Sequence, residues 1–296
     1  MIWLTWRQHR AQLLVTTALL LVLGTLLLLS ALRAADAGAG LSGTGLDDAL
    51  RANFRSTYQM LSWLPIVPGL VGLFWGAPIV AREFERGTHK LAWTQSVTRT
   101  RWLAAKLAGL GMLAGLAGLG LGAMIDGWLS AFDGTQYVQV LGDSALFGSS
   151  GVAAGAWWFF AFMLGAASGA VFRKLLPALA VTAGLYFVVM FLFFGFRRDY
   201  AEPVRVLDPQ TMPAGLVTGT AYLAPDGTET ADVPPCANED RDSYLPCIAD
   251  SGYKSVFYVQ PESRYWQFQW TEAGLLLGAS VLLGGVVVYR VARRPL

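Results

Sequence analysis

Long apolar runs separated by short polar intervals dominate the chain, and their lengths set the first reading. From Ala11 to Leu32 nearly every residue is Leu, Val, Ala or Thr. About 20 such residues, rising about 1.5 Å each, cover the roughly 30 Å hydrocarbon core of a bilayer. Comparable runs recur at about Trp63 to Ala81, Trp102 to Ile125, Val152 to Phe172, Leu175 to Phe196 and Thr271 to Tyr289. The pattern predicts six membrane-spanning helices. The first run is longer than the apolar stretch of a secretory signal and reads as a retained span.

The polar intervals differ in kind. In Ile2 to Gln12, Trp3, Trp6 and Leu13 fall at helical spacing opposite Arg7, Gln8, His9, Arg10 and Gln12. That pattern fits either a short interfacial helix or the polar end of the first span. Asp36 to Ser62 is glycine-rich, then Thr44-Gly-Leu-Asp47 resembles a capping box and Leu46, Leu50 and Phe54 recur every fourth residue. This predicts an amphipathic helix on the outer surface. Pro65, Pro68 and Pro78 lie along the second run, where they release carbonyls and bend the axis. In the third run, Gly111-x-x-x-Gly115 and Gly118-x-x-x-Gly122 allow a neighbouring helix to approach closely, although a glycine-rich chain also produces such spacings by chance. Arg173-Lys174 is a tight turn between the fourth and fifth spans. The fifth carries Phe187, Met190, Phe191 and Phe194, an aromatic and methionine surface suited to lipid, to helix packing or to an apolar cargo.

Arg197 to Trp270 is the one long polar insert, with turn signals at Asp208-Pro209, Pro225-Asp226-Gly227 and Pro234-Pro235 and a strand-like run from Lys254 to Gln260. The domain reading follows: residues 1–196 hold five spans and a cytosolic loop at 82–101, residues 197–270 the insert, and residues 271–296 the sixth span and a basic tail. The only two cysteines, Cys236 and Cys247, lie in the insert and read as a disulfide. Between Asp226 and Asp250 the acids Asp226, Glu229, Asp232, Glu239, Asp240, Asp242 and Asp250 face only Arg241, so this part is acidic.

Composition narrows the class. Of 296 residues, 54% are hydrophobic and 14% charged, and the mean hydropathy is positive, as in an integral membrane protein. A formal net charge of +2 with dispersed basic residues gives no footprint for nucleic acid. Basic residues also orient the chain. With a cytosolic amino terminus, the inner segments hold Arg7, Arg10, Arg82, Arg86, Lys90, Arg99, Arg101, Lys106, Arg173, Lys174, Arg290, Arg293 and Arg294, against only Arg33, Arg51 and Arg55 on the first two outer loops. That asymmetry predicts both ends inside and the insert outside.

The interiors of the six spans read as free of Asp, Glu, Lys, Arg and His, which disfavours a proton- or ion-coupled carrier. No His-Glu-x-x-His, paired aspartate or other metal-ligand set appears, and no Gly-x-x-x-x-Gly-Lys-Ser/Thr loop to cradle ATP. The chain is expected to bind no cofactor and to catalyse nothing by itself. What remains is the charged stretch between the second and third spans. There Arg82, Glu83, Glu85 and Arg86 form a collar, Gly87 is placed to end a helix, and Thr98-Arg99-Thr100-Arg101-Trp102 returns to the membrane.

This stretch resembles the cytosolic loop of type-2 ABC exporter permeases, through Glu83-Phe-Glu85-Arg-Gly87-Thr88, Leu91, Thr94-Gln-Ser-Val-Thr-Arg99 and Lys106. Ser96 stands where the family pattern has proline. The likeness extends to the six-span order, the Trp6-Arg7-Gln8 start and the run Gln260-Pro-Glu-Ser-Arg-Tyr-Trp-Gln-Phe-Gln-Trp, and is strongest to actinobacterial members. It implies an all-α polytopic protein of a bacterial plasma membrane, paired as a permease dimer with an ABC ATPase that holds ATP and Mg. It also implies that Glu83, Glu85, Arg86, Gly87, Thr88 and Leu91 couple ATP hydrolysis to efflux of a hydrophobic or amphipathic cargo. From family position, Phe187, Met190, Phe191 and Phe194 are expected on the cargo path. The competing reading is a non-transporting membrane sensor or scaffold whose outer insert binds a ligand.

Overall fold

The computed structural model describes residues 2–85, 99–132, 138–207, 212–233, 236, 247–248 and 250–292. Six segments are long and apolar enough to cross a membrane: Leu14–Gly38, Thr44–Glu85, Leu103–Phe132, Gly151–Phe172, Leu175–Asp199 and Glu262–Val291. The chain forms two compact units. One holds residues 1–138, 145–194 and 269–296, and the other residues 139–144 and 195–268.

The first helix runs unbroken over Ile2–Gly38. No glycine or proline interrupts the polar start, so it continues into the first span and no separate interfacial helix forms. The amphipathic helix spans Thr44–Leu61, but Gly43 is its N-cap and no side chain caps it. The expected capping box is therefore absent, because Thr44 already lies inside the first turn. Phe54 from this helix stacks on Trp128 at 5.2 Å and meets Phe132 edge-on at 5.4 Å, joining it to the end of the third span.

The second span is assembled from short pieces: a 3-10 turn at Leu64–Ile66, helix Val67–Val71, a widened π turn at Gly72–Gly76 and helix Ala77–Glu85. Its prolines do release backbone that a neighbour satisfies. The Tyr186 hydroxyl of the fifth span donates to the Pro65 carbonyl at 2.5 Å. The third helix covers Arg99–Leu129, longer at both ends than its apolar run.

Gly151–Phe172 is the central helix, buried from Ala153 to Ala170 except at Phe159. Both third-span glycine pairs face it. A methyl group on Gly118 would lie 2.7 Å from the Ala154 carbonyl oxygen and one on Gly122 2.6 Å from that of Gly151, whereas Gly109 and Gly120 look into open space. The second span approaches just as closely from another side. A methyl group on Gly165 would lie 2.1 Å from the Gly72 carbonyl oxygen. Arg173 ends the central helix in a left-handed conformation, φ 56°, with its N–H on the Gly169 carbonyl at 3.0 Å. The fifth helix follows at Leu175–Phe196 and the last spans Tyr265–Ala292.

In the second unit a four-stranded antiparallel sheet has the order β1-β4-β2-β3, with β1 at Val204–Val206, β2 at Gly215–Leu223, β3 at Glu229–Thr230 and β4 at Lys254–Pro261. The strand expected from Lys254 is β4, so helices build the membrane unit and a sheet builds the insert. Pro225-Asp226-Gly227 makes the β2–β3 turn, with Gly227 at φ 87°. The run beginning at Gln260 has a structural reason. Buried Gln260 reaches the Arg198 and Ala201 carbonyls, and Arg264 reaches Gln260 and the Glu202 carbonyl, each at 2.6 Å, so the run's start and the insert's start are bound together.

Candidate functional site

The residues leading into the charged loop lie on Ala77–Glu85, whose apolar face is set by alanines small enough for close packing. Ala77 and Ala81 are fully buried against Ala178, with Leu175 and Leu179 alongside, at the start of the fifth span. On the other side the end of the central helix comes so near that a methyl group on Gly169 would lie 2.5 Å from the Ala77 carbonyl oxygen. The first half of Ala77–Glu85 is thus clasped between the fourth and fifth spans.

From the last turn three consecutive side chains reach toward three different elements. Glu83 forms an ion pair with Lys106 of the third span, and Lys106 is only 7% exposed. The ring of Phe84 lies under the Arg173 guanidinium, 4.9 Å from its centroid. Glu85 accepts the N–H of Leu175 at 2.8 Å, satisfying one of the donors left over at the start of the fifth helix. The sequence showed Glu83 only as part of a collar with Arg82, Glu85 and Arg86, and showed Lys106 without this partner. Residues one or four apart on a helix are visible in sequence, whereas a partner 23 positions away is not. Arg86, Gly87, Thr88 and Leu91, with the expected helix break, lie outside the described residues.

The four cargo candidates do not share one face. Met190 is 6% exposed in a core with Trp157, Tyr186, Ala273 and Leu276, and Phe194 packs partly against it. Phe187 and Phe191 point outward, 40% and 65% exposed. Phe191 and Phe194 meet edge to face at 6.3 Å.

The spans are also not free of ionisable side chains, as the sequence reading had them. Glu272 lies two turns into the last helix, fully buried, and accepts the Trp157 indole N–H at 2.7 Å. One turn earlier, buried Gln269 accepts the Ala153 N–H at 2.8 Å and donates to the Phe147 carbonyl at 2.9 Å. Asp126 takes the Gly151 N–H at 3.1 Å. The open amides at the start of the central helix are thereby capped from the third and sixth spans instead of by a local residue. The sequence boundaries hid this because they set Glu272 at the edge of its apolar run, whereas the helix begins at Tyr265.

In the insert Cys236 and Cys247 are joined in a disulfide, as expected, and pack with Val233 and Ile248. On the sheet surface Glu229 accepts from the Tyr258 hydroxyl and from Arg205, whose Nε lies 2.6 Å away. These bonds hold the Glu229 carboxyl below its ordinary range, and the Glu229 bond pushes the Tyr258 hydroxyl up. Thr228 likewise lowers Asp226. Among the described residues no group of His, Cys, Asp and Glu is arranged to hold a metal ion.

Over residues 11–198, which is most of the chain, the sequence matches the family described as ABC-2 membrane transporter related. The chain belongs to that family. No curated protein and no solved structure matches it. As an ABC-2 permease it is a multi-pass membrane subunit of a transporter and not the catalyst, and its family implies an ABC ATPase as partner. The family match takes in the first five spans, including Glu83-Phe84-Glu85, and ends as the insert begins.

Proposed function

We propose that this permease is the membrane subunit of an ATP-driven exporter, and that its loop at residues 82–101 is the surface on which a separate ATPase acts. The observation that carries the reading is the family match across five spans, with this loop as their only charge-rich inner connection. ATP and Mg belong to the partner, and two permease subunits form the dimer around the path. Arg86, Gly87, Thr88 and Leu91 receive the push, and Glu83 and Glu85 stand where it enters the membrane. The lysine and arginine asymmetry supports a chain with both ends in the cytosol of a bacterium and the insert outside. The cargo is hydrophobic or amphipathic, and on the fifth span Phe187, Phe191 and Phe194 offer it an adaptable surface. Met190 serves the core instead.

The test is ATP hydrolysis by the permease reconstituted with its ATPase subunit, against a panel of lipids, peptides and hydrophobic cations. Some class is expected to stimulate hydrolysis, and alanine at Phe187 and Phe191 to change which members do so. A partner that neither copurifies with the permease nor responds to any class would overturn the reading in favour of the sensor. An unchanged profile in the double variant would return the two phenylalanines to lipid contact.

A further inference from the structure

We infer that Glu83-Phe84-Glu85 is a distribution point, through which displacement of the charged loop reaches three spans separately. The inference rests on the coupling function proposed above and assigns these residues a positioning role inside the membrane subunit. Each of the three grips a different element. Glu83 holds Lys106 near the start of the third span, Phe84 holds Arg173 at the end of the fourth, and Glu85 holds the Leu175 amide that opens the fifth. All three lie on one turn of one helix, next in sequence to the loop, so a rigid movement of that turn pulls all three contacts at once.

The contacts differ in what they transmit. The Glu83 contact is an ion pair to a buried ammonium, held by charge that solvent and salt screen little. The Glu85 contact needs only an acceptor oxygen on the Leu175 N–H, and the Ala81, Ala178 and Leu175 packing beside it holds the two helix ends in register. The fifth span therefore follows Glu85 through a hydrogen bond and small-residue packing, while the third follows Glu83 through charge. This difference separates an internal positioning role from direct contact with the ATPase. A carboxylate that docks on a partner by its charge is lost on conversion to amide, whereas an amide oxygen still accepts the Leu175 N–H.

The experiment is amide hydrogen exchange of the assembled complex with and without Mg and a non-hydrolysable ATP analogue, read at residues 175–179 and 103–107. In the unaltered complex nucleotide is expected to change protection at both. Glu85→Ala should weaken the change at 175–179, where only the small-residue packing remains, keep it at 103–107 and lower the ratio of cargo-stimulated to basal hydrolysis about tenfold, within the range of coupling between distant sites. Glu85→Gln should restore both readouts. Glu83→Lys should lose the response at 103–107, and adding Lys106→Glu should return it. The inference is overturned if Glu85→Gln behaves as Glu85→Ala, if the charge swap fails to rescue, or if the response at 175–179 in Glu85→Ala equals that of the unaltered complex. Absence of any nucleotide response in the unaltered complex would overturn the exporter reading itself, and this inference with it.

Discussion

Glu272 shows most directly what one residue does here. A carboxyl group taken out of water carries a desolvation penalty that only well-formed hydrogen bonds offset, and that of Glu272 meets the Trp157 indole N–H at 2.7 Å with no exposure of its own. An amide in its place keeps an acceptor oxygen. Glu272→Gln is therefore expected to melt close to the unaltered protein. Glu272→Leu leaves the buried Trp157 N–H without this acceptor and is expected to lose about 1–3 kcal/mol. Thermal unfolding of the detergent-solubilised protein would measure both. Equal melting of the leucine variant would show that the Trp157 bond contributes nothing.

At the scale of elements, the central helix is organised by close approach. Gly72, Gly165 and Gly169 let the second and fourth spans meet backbone to backbone, and where neighbours have no side chain between them dispersion contacts form along the whole seam. In Gly165→Ala the new methyl group would lie 2.1 Å from the Gly72 carbonyl oxygen, and backbone on both sides cannot turn aside as a side chain does. The second and fourth spans must separate, with an expected loss of about 1–3 kcal/mol, as for other overpacked sites. Gly109→Ala faces open space and is the control, expected to be neutral or slightly stabilising. Melting temperatures of the two variants that coincide would refute the packing argument. The widened π turn at Gly72–Gly76 sits on this same seam, so the second span is irregular where it is packed most tightly.

For the whole molecule, the insert answers to pH separately from the apolar helices. Tyr258 and Arg205 hold Glu229 below its ordinary value of 4.5, and Thr228 holds Asp226 below 3.8. Each lowered carboxyl contributes stability that is complete above its unfolded value and is lost as pH falls through its folded one. The Tyr258 hydroxyl is raised from 10.0, so its contribution is complete below that value and is lost as pH rises through the folded one. The sheet is thus expected to be indifferent to pH from about 5 to about 9 and to weaken at both extremes. Glu229→Gln should flatten both limbs, the alkaline one most, since Asp226 still titrates in acid. Near-ultraviolet circular dichroism of the full-length protein across pH would record it, and limbs of unchanged steepness in the variant would show that Glu229 is not their source. The Cys236–Cys247 disulfide lies in this same unit and closes a loop whose chain-entropy contribution is about 3 kcal/mol.

The run lengths of apolar residues alone determined the six spans, because a bilayer of fixed thickness accepts few alternatives. The same runs bounded the long insert, while the two cysteines announced its disulfide and a β-prone run its strand from Lys254. The Glu83-Phe84-Glu85 motif was legible too, through its resemblance to a family loop. Its partners were not. Lys106, Arg173 and Leu175 are 23 to 90 positions from the acids and rings they meet, and sequence spacing reports only neighbours on one helix. The third-span glycine pairs were legible by spacing, but only packing told that both pairs seat on the central helix and are not chance spacings of a glycine-rich chain. Met190 and Phe191 are adjacent and chemically alike in sequence. One is core and the other surface, because a helix turns about 100° per residue and only the position of its neighbours decides which side is inside.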